Sequence, residues 1–291
     1  MDRIKRLIAL GKLEIEKARA RWGAFDVAYR TFKRFGEDDG ATHAASLTYY
    51  TFFSIFPLLL FSAAALGYIT FGNDELRNEL LSSGLKSIPI LSGALSPDGL
   101  DRIEQNYKGL AVTATLLALY TGSGVIIAMQ HSLNKIYHVP DEPNLLQKRL
   151  RSLMWLAVLG MFAFVSLALT TISELAPDAI ASVLSLLGGL AVNIALFSTA
   201  YKMLPATTLS WKEVLPGAIV AAIGFEILKI AGTAYLARGE SARDETFGTF
   251  AAAAALLIAS FIVARLVLLA AEVNAVLAER RATRQSSPSR T

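Results

Sequence analysis

The chain has 291 residues, of which 54% are hydrophobic and 18% charged, with a mean hydropathy of +0.46 and a formal net charge of +4. It is too apolar and too poor in charge for an ordinary soluble domain, and it reads as a membrane protein. It has no cysteine, which excludes a disulfide framework and a thiolate metal site.

The first residues, MDRIKRLIALGKLEIEKARARW, carry basic charge but no apolar stretch longer than LIALG and no small-residue cleavage site, so they are not expected to be a cleavable signal. Ile4, Ile8, Ile15, Ala18 and Trp22 recur at helical spacing among Arg and Lys. This pattern predicts an amphipathic N-terminal helix, either lying on the cytoplasmic membrane surface or packed against the ends of a bundle. A helix needs about 20 mostly apolar residues to cross a hydrocarbon core of about 30 Å. Six segments come close to that requirement: 45–70, 109–130, 153–174, 179–203, 214–237 and 248–278.

The expected fold is therefore all-α, a polytopic membrane helical bundle with about six transmembrane helices. Residues 1–44 form the interfacial amphipathic part and residues 45–278 the transmembrane domain. Residues 71–108 make an outer segment whose LRNELLSSGL portion reads as a short surface helix. In the loop 131–152, Pro140 and Pro143 forbid one continuous helix. The tail ERRATRQSSPSRT, residues 279–291, is expected to be disordered.

With the N-terminus inside, 20 of the 28 Lys and Arg residues fall on the cytoplasmic side and six on the other. The positive-inside rule then puts both termini in the cytoplasm, and the net charge calls for no nucleic-acid partner.

Pro57, about halfway along the first span, removes a backbone hydrogen bond and can kink or open the helix. Tyr49 and Tyr50 precede it, either as interface anchors or as part of a polar lining. Gly122 and Gly124 in TGSGV allow a neighbouring helix to approach closely, and Gly188 and Gly189 invite the same reading. Pro216 and Gly217 at the start of the fifth span, and Gly248 at the start of the sixth, are further kink or packing positions.

The fifth span, PGAIVAAIGFEILKIAGTAYLA, places Glu226 and Lys229 in an otherwise apolar run. At about 1.5 Å per residue, Glu226 lies ~18 Å and Lys229 ~22 Å from the cytoplasmic end, and Arg265 of the sixth span lies at ~21 Å. A lone charge at this depth is costly, so each group is expected to face the protein interior or water and to find a partner, with Glu226 the natural partner of both cations. Glu272, seven residues after Arg265, shares nearly the same helix face. Asn274 follows it, and Asn193 of the fourth span can line the same side. Two readings stay open: an ion pair that locks helix register, and a water-accessible cavity for the charged head of a lipid, another amphiphile or an ion.

Enzyme chemistry is not expected. His43, His131 and His138 are scattered outside any metal-binding spacing, and there is no phosphate-cradling glycine loop or nucleophile elbow, so neither a metal nor a cofactor is predicted.

HAASLTYYTFFSIFPLLLF (43–61), NKIYHV (134–139), LPATTLSWKEVLPGAIVAAIGFEILK (204–229), FGTFAA (247–252) and LLAAEVNAVL (268–277) resemble the successive signatures of the YihY/virulence factor BrkB family of bacterial inner-membrane proteins. The sequence has Phe247-Gly248 where members commonly have Tyr-Gly, and Ala270-Ala271-Glu272 where they have Gly-Ala-Glu. The resemblance implies a bacterial inner-membrane location. The family also carries an old ribonuclease BN label that belongs to a soluble metal-dependent nuclease, and no carboxylate pair in this sequence takes a two-metal arrangement. Two function classes follow: a transport or lipid-handling protein, whose partners are membrane lipids, and a non-catalytic envelope scaffold with an envelope protein partner.

Overall fold

A computed structural model describes residues 16, 19, 21–69, 107–140, 143–174, 177–238 and 248–286. Seven helices occur among the described residues: α1 (Gly23–Glu37), α2 (Gly40–Ile69), α3 (Tyr107–Ile136), α4 (Leu145–Glu174), α5 (Asp178–Met203), α6 (Trp211–Arg238) and α7 (Gly248–Ser286). Five of them contain stretches long and apolar enough to cross a membrane: Val112–Ile136, Leu145–Ser166, Ser185–Met203, Trp211–Gly232 and Ala253–Thr283. α2 adds a 30-residue helix without Asp, Glu, Lys or Arg, and it continues through Pro57. The protein is an all-helical membrane bundle.

Most of the amphipathic pattern expected over 1–22, and nearly all of the outer segment 71–108, lie outside the described residues. Of the tail expected to be disordered, residues 279–286 are helical instead, and residues 287–291 lie outside the described residues. α7 stays helical to Ser286, because Arg280 Nη1 donates to Gly23 O at 3.1 Å and Arg281 Nη1 donates to Lys212 O at 3.3 Å. The interruption expected in 131–152 occurs between Ile136 and Leu145.

Each long helix packs on its neighbours in the chain, and α7 returns to pack on α2, which closes a ring. α7 also touches α3 across the ring and carries α1 on its C-terminal half. Small residues make close contact where these helices meet: Ala44, Ala218, Ala221, Ala264, Ala270 and Ala271 are all buried. On α4, four consecutive residues, 163–166, are exposed, as are residues 185–187 on α5. At about 100° per residue, such runs cover most or all of a helix's circumference, so the α4–α5 hairpin stands uncovered towards its tip.

Local chemistry sets the ends. His138 adopts a φ of 51° just beyond α3, where Val139 N donates to Asn134 O at 2.9 Å in the double-bonded C-terminal cap that a left-handed residue permits. Ser210 caps α6, its N–H and its hydroxyl both donating to Glu213 Oε2, at 2.7 and 2.8 Å. Pro216 offers no N–H to the carbonyl of Lys212 four residues earlier, and Arg281 supplies that carbonyl with a donor instead.

Candidate functional site

Three contacts hold α6 against α7. Gly217 N donates to Asn274 Oδ1 at 2.6 Å, and a Cβ at Gly217 would run into Ala270 O and the Asn274 side chain. Gly224 meets Leu266 in the same way. The α6-facing line on α7 therefore runs through Leu266, Ala270 and Asn274.

Glu226 sits one turn beyond Ala222 on α6 and is 8% exposed. Its carboxylate accepts from Asn193 Nδ2 of α5 at 2.7 Å and pairs with Lys229 Nζ at 2.8 Å. Gly189 of α5 faces this carboxylate, and a Cβ there would make an ordinary contact 3.7 Å from Glu226 Oε1. The Lys229 side chain is 53% exposed, so the pair opens to the side of the bundle rather than being sealed within it.

Arg265 does not join this pair. Its guanidinium stacks over Phe35 of α1 and Phe261 of α7, at 5.6 Å from each ring centroid. The expected convergence on Glu226 fails for an angular reason. Residue 265 is 100° from residue 266, which faces α6, so a matching depth does not bring a matching direction. The shared face of Arg265 and Glu272 does hold, but it looks towards α1.

Glu272 is fully buried, with neither carboxylate oxygen receiving a hydrogen bond. Its counter-charge is Arg34 of α1, whose Nε lies 3.4 Å away. The same guanidinium reaches Glu279 Oε2 at 3.2 Å, Ile136 O at 3.3 Å and His138 Nε2 at 3.3 Å. His138 Nδ1 lies 2.9 Å from Lys135 O, so the tautomer that satisfies both contacts carries its proton on Nδ1 and accepts from Arg34 on Nε2. One arginine thus ties α1, the end of α3 and two turns of α7 together.

A second set of polar side chains surrounds this cluster. Gln130 and Asn134 are almost fully buried on α3, and Asn134 Oδ1 accepts from Ala206 N at 2.8 Å, which fixes the α5–α6 turn. Both amide atoms of Gln130, Asn134 Nδ2, Asn274 Nδ2 and the Tyr137 hydroxyl are buried without a hydrogen-bond partner. Burial pushes the Tyr137 hydroxyl well above the ordinary phenol range, partly offset by the adjacent Asn274 side chain. Tyr201 of α5 donates to Val267 O at 2.8 Å beside this set.

At the free end of α1, Asp26 binds Arg19 at 2.8 Å, Arg30 at 3.0 Å and Arg280 at 3.1 Å. Burial works against its ionised form, but the hydrogen bond from Arg19 and the charge of Arg30 outweigh it and hold the carboxyl below its usual range.

The other sequence-predicted positions serve packing. Gly124 receives the ring of Tyr50, and Gly122 faces Leu156 of α4. Tyr49 stacks edge-on with Tyr50 and against Phe53, so both tyrosines belong to an aromatic run on α2 rather than to either polar set. Gly188 meets Leu169, and Gly248 begins α7. Sequence reasoning missed Arg34, Asp26, Gln130 and Asn134. Gln130, Asn134 and Tyr137 do carry a signal, since steps of four and three put them on one face of α3. Arg34 carries none, because its partners lie 102 to 245 residues away.

Several curated proteins resemble this chain. A putative ribonuclease-like protein, YfkH, of Bacillus subtilis is 26% identical over 88% of this chain and 97% of its own length. The membrane protein RSc1559 of Ralstonia nicotianae is 28% identical over 84% of this chain, which spans only 57% of that longer protein. The inner membrane protein YhjD of Escherichia coli is 27% identical over 70% of this chain and 67% of its own length. No solved structure matches. Residues 31–291 match the family described as virulence factor BrkB, and the chain belongs to that family.

Proposed function

We propose that the chain is a multi-pass protein of the bacterial inner membrane, with about six spans and both termini in the cytoplasm, that handles or transports a lipid or other amphiphilic, charged substrate. The observation that carries this reading is the Glu226–Lys229 pair in mid-span, with Asn193 orienting the carboxylate and the lysine half-exposed. A pair serving helix register alone is best sealed, whereas an accessible ammonium beside a buried carboxylate suits an anionic headgroup. The uncovered tip of the α4–α5 hairpin supports a lateral opening where acyl chains can lie. No enzymatic step is part of the proposal. Among the described residues no three His, Asp or Glu side chains gather as metal ligands would, and no nucleic-acid partner is invoked.

A second reading, a non-catalytic envelope scaffold, draws support from the Glu272–Arg34 cluster, which is built to fix helices rather than to admit a ligand. Proteoliposomes containing headgroup-labelled anionic lipid separate the two. The parent chain is expected to move label between leaflets, and Lys229→Met to slow this about tenfold, the value of one charge-assisted contact. Equal rates in empty vesicles would remove the transport reading and leave the scaffold.

A further inference from the structure

Trp22, Phe25, Tyr29 and Phe32 are spaced three, four and three residues apart, so they form one stripe along α1. They are 66%, 42%, 37% and 67% exposed, an unusual display of large aromatic rings. The opposite face of the helix is fixed. Asp26 pairs with Arg280, Arg34 with Glu272 and Glu279, and Phe35 lies under Arg265. These contacts set both the roll of α1 and its direction, since rising numbers on α1 meet falling numbers on α7. The stripe therefore points away from the bundle and cannot turn inward without breaking the ion pairs.

Its level is fixed as well. α1 lies alongside residues 265–280 of α7, and Arg281 reaches Lys212 O at the first turn of α6, next to the exposed Trp211. Only Asp38 and Asp39 separate α1 from α2, a membrane helix. The stripe and Trp211 thus occupy the layer where bundle helices enter the bilayer, the layer in which aromatic side chains collect. At 100° per residue Lys33 falls beside the stripe, and Arg21 is exposed just before the extended Trp22 at the stripe's N-terminal end. Of the four basic and two acidic side chains in residues 21–37, Arg30 and Asp26 pair with each other and Arg34 with Glu272 and Glu279 of α7, which leaves Arg21 and the exposed Lys33, 3.2 Å from Glu37, on the outer side.

We propose that the aromatic face of α1 is a docking surface for anionic phospholipid, its rings seated at the boundary between headgroups and acyl chains, with Arg21 and Lys33 against the phosphates. This surface is separate from the Glu226 site and stands whether or not that site moves lipid.

The test uses the full chain in proteoliposomes, with Trp155→Phe and Trp211→Phe leaving Trp22 as the only indole. The vesicles hold acyl-brominated phosphatidylglycerol in one series and brominated phosphatidylcholine in the other. Trp22 emission is expected to shift to the blue and to be quenched about fivefold more strongly by the anionic lipid, a preference lost in the Arg21→Gln, Lys33→Gln variant. Should the core substitution at Trp155 unfold the chain, the same quantity comes from the difference between parent and Trp22→Phe. Equal quenching by the two lipids overturns the anionic preference. Water-like emission quenched by iodide overturns the docking surface. A blue-shifted Trp22 that lipid does not quench, with cross-linked dimers, assigns the stripe to a second copy and equally overturns the proposal.

Discussion

Lys229 and Glu226 belong to one ion pair but should behave very differently on substitution. The lysine side chain is 53% exposed on the flank of the bundle, and Glu226 keeps its hydrogen bond from Asn193 without it, so Lys229→Met should melt closer to the parent temperature than Glu226→Ala. Glu226→Ala removes the acceptor of the Asn193 amide and buries an unmatched donor, at a cost of about 1–3 kcal/mol in a detergent melt. Glu226→Gln keeps an acceptor for Asn193 and should fall between the two. Asn274→Leu provides a comparison remote from the proposed substrate path. It strips the acceptor from Gly217 N and should cost about 1–3 kcal/mol without altering lipid movement beyond what stability explains. The identities of these residues were legible because polar groups in an apolar run must find partners. The choice of partner was not, because depth along a helix is a count of residues, whereas direction around it depends on which neighbour the helix faces. Arg265 illustrates this: counted in residues it matches Lys229, yet it turns towards aromatic rings instead of the carboxylate.

Among the elements, α1 depends most on charge. Arg34 is the only cation within ion-pair distance of the fully buried Glu272 among the described contacts, so Arg34→Ala should cost about 3–5 kcal/mol. The Arg34→Met, Glu272→Gln double variant should regain most of it, and the comparison of both melts tests the pairing. Asp26 gives the same element a dependence on acid. Its folded carboxyl is held below the unfolded value near 3.9, so its stabilising contribution is complete above that pH and disappears as the pH falls through the lower folded value. Limited proteolysis between Gly23 and Glu37 should accelerate in that acid window, and Asp26→Asn should be cleaved at an elevated rate already at neutral pH. The long helices were legible almost to their ends, since apolar length reports them directly. Their extensions were not. Residues 279–286 look like a polar tail in sequence, and the acceptors that Gly23, Asp26 and Lys212 offer to Arg280 and Arg281, with Arg34 on Glu279, keep the helix in order.

For the whole molecule, the proposed six-span topology predicts that a reporter fused after Thr291 registers as cytoplasmic and one inserted near Pro97 as extracytoplasmic. The opposite result would reverse the orientation, and two reporters on the same side would change the number of spans between them by one. The charge bias supporting this is visible in sequence, whereas the order of helices around the bundle is not, because nothing in a hydropathy pattern says that the last helix packs on the first.

That closure has a bearing on biogenesis. α7 is synthesised after the other six described helices, and it supplies the buried wall against which α1, α2 and α6 all pack. Until Gly248–Ser286 has left the ribosome, Gly217 and Gly224 of α6 lack the side chains they meet on α7, and Arg34 has neither of its carboxylates. The nascent bundle is therefore an open arc with unmatched charge at its inner end, a state that membrane proteases and insertion chaperones are suited to detect. A chain truncated before Gly248 should insert its earlier helices and still be degraded rapidly, and co-expressing residues 248–291 as a separate helix should restore its half-life in a pulse-chase measurement.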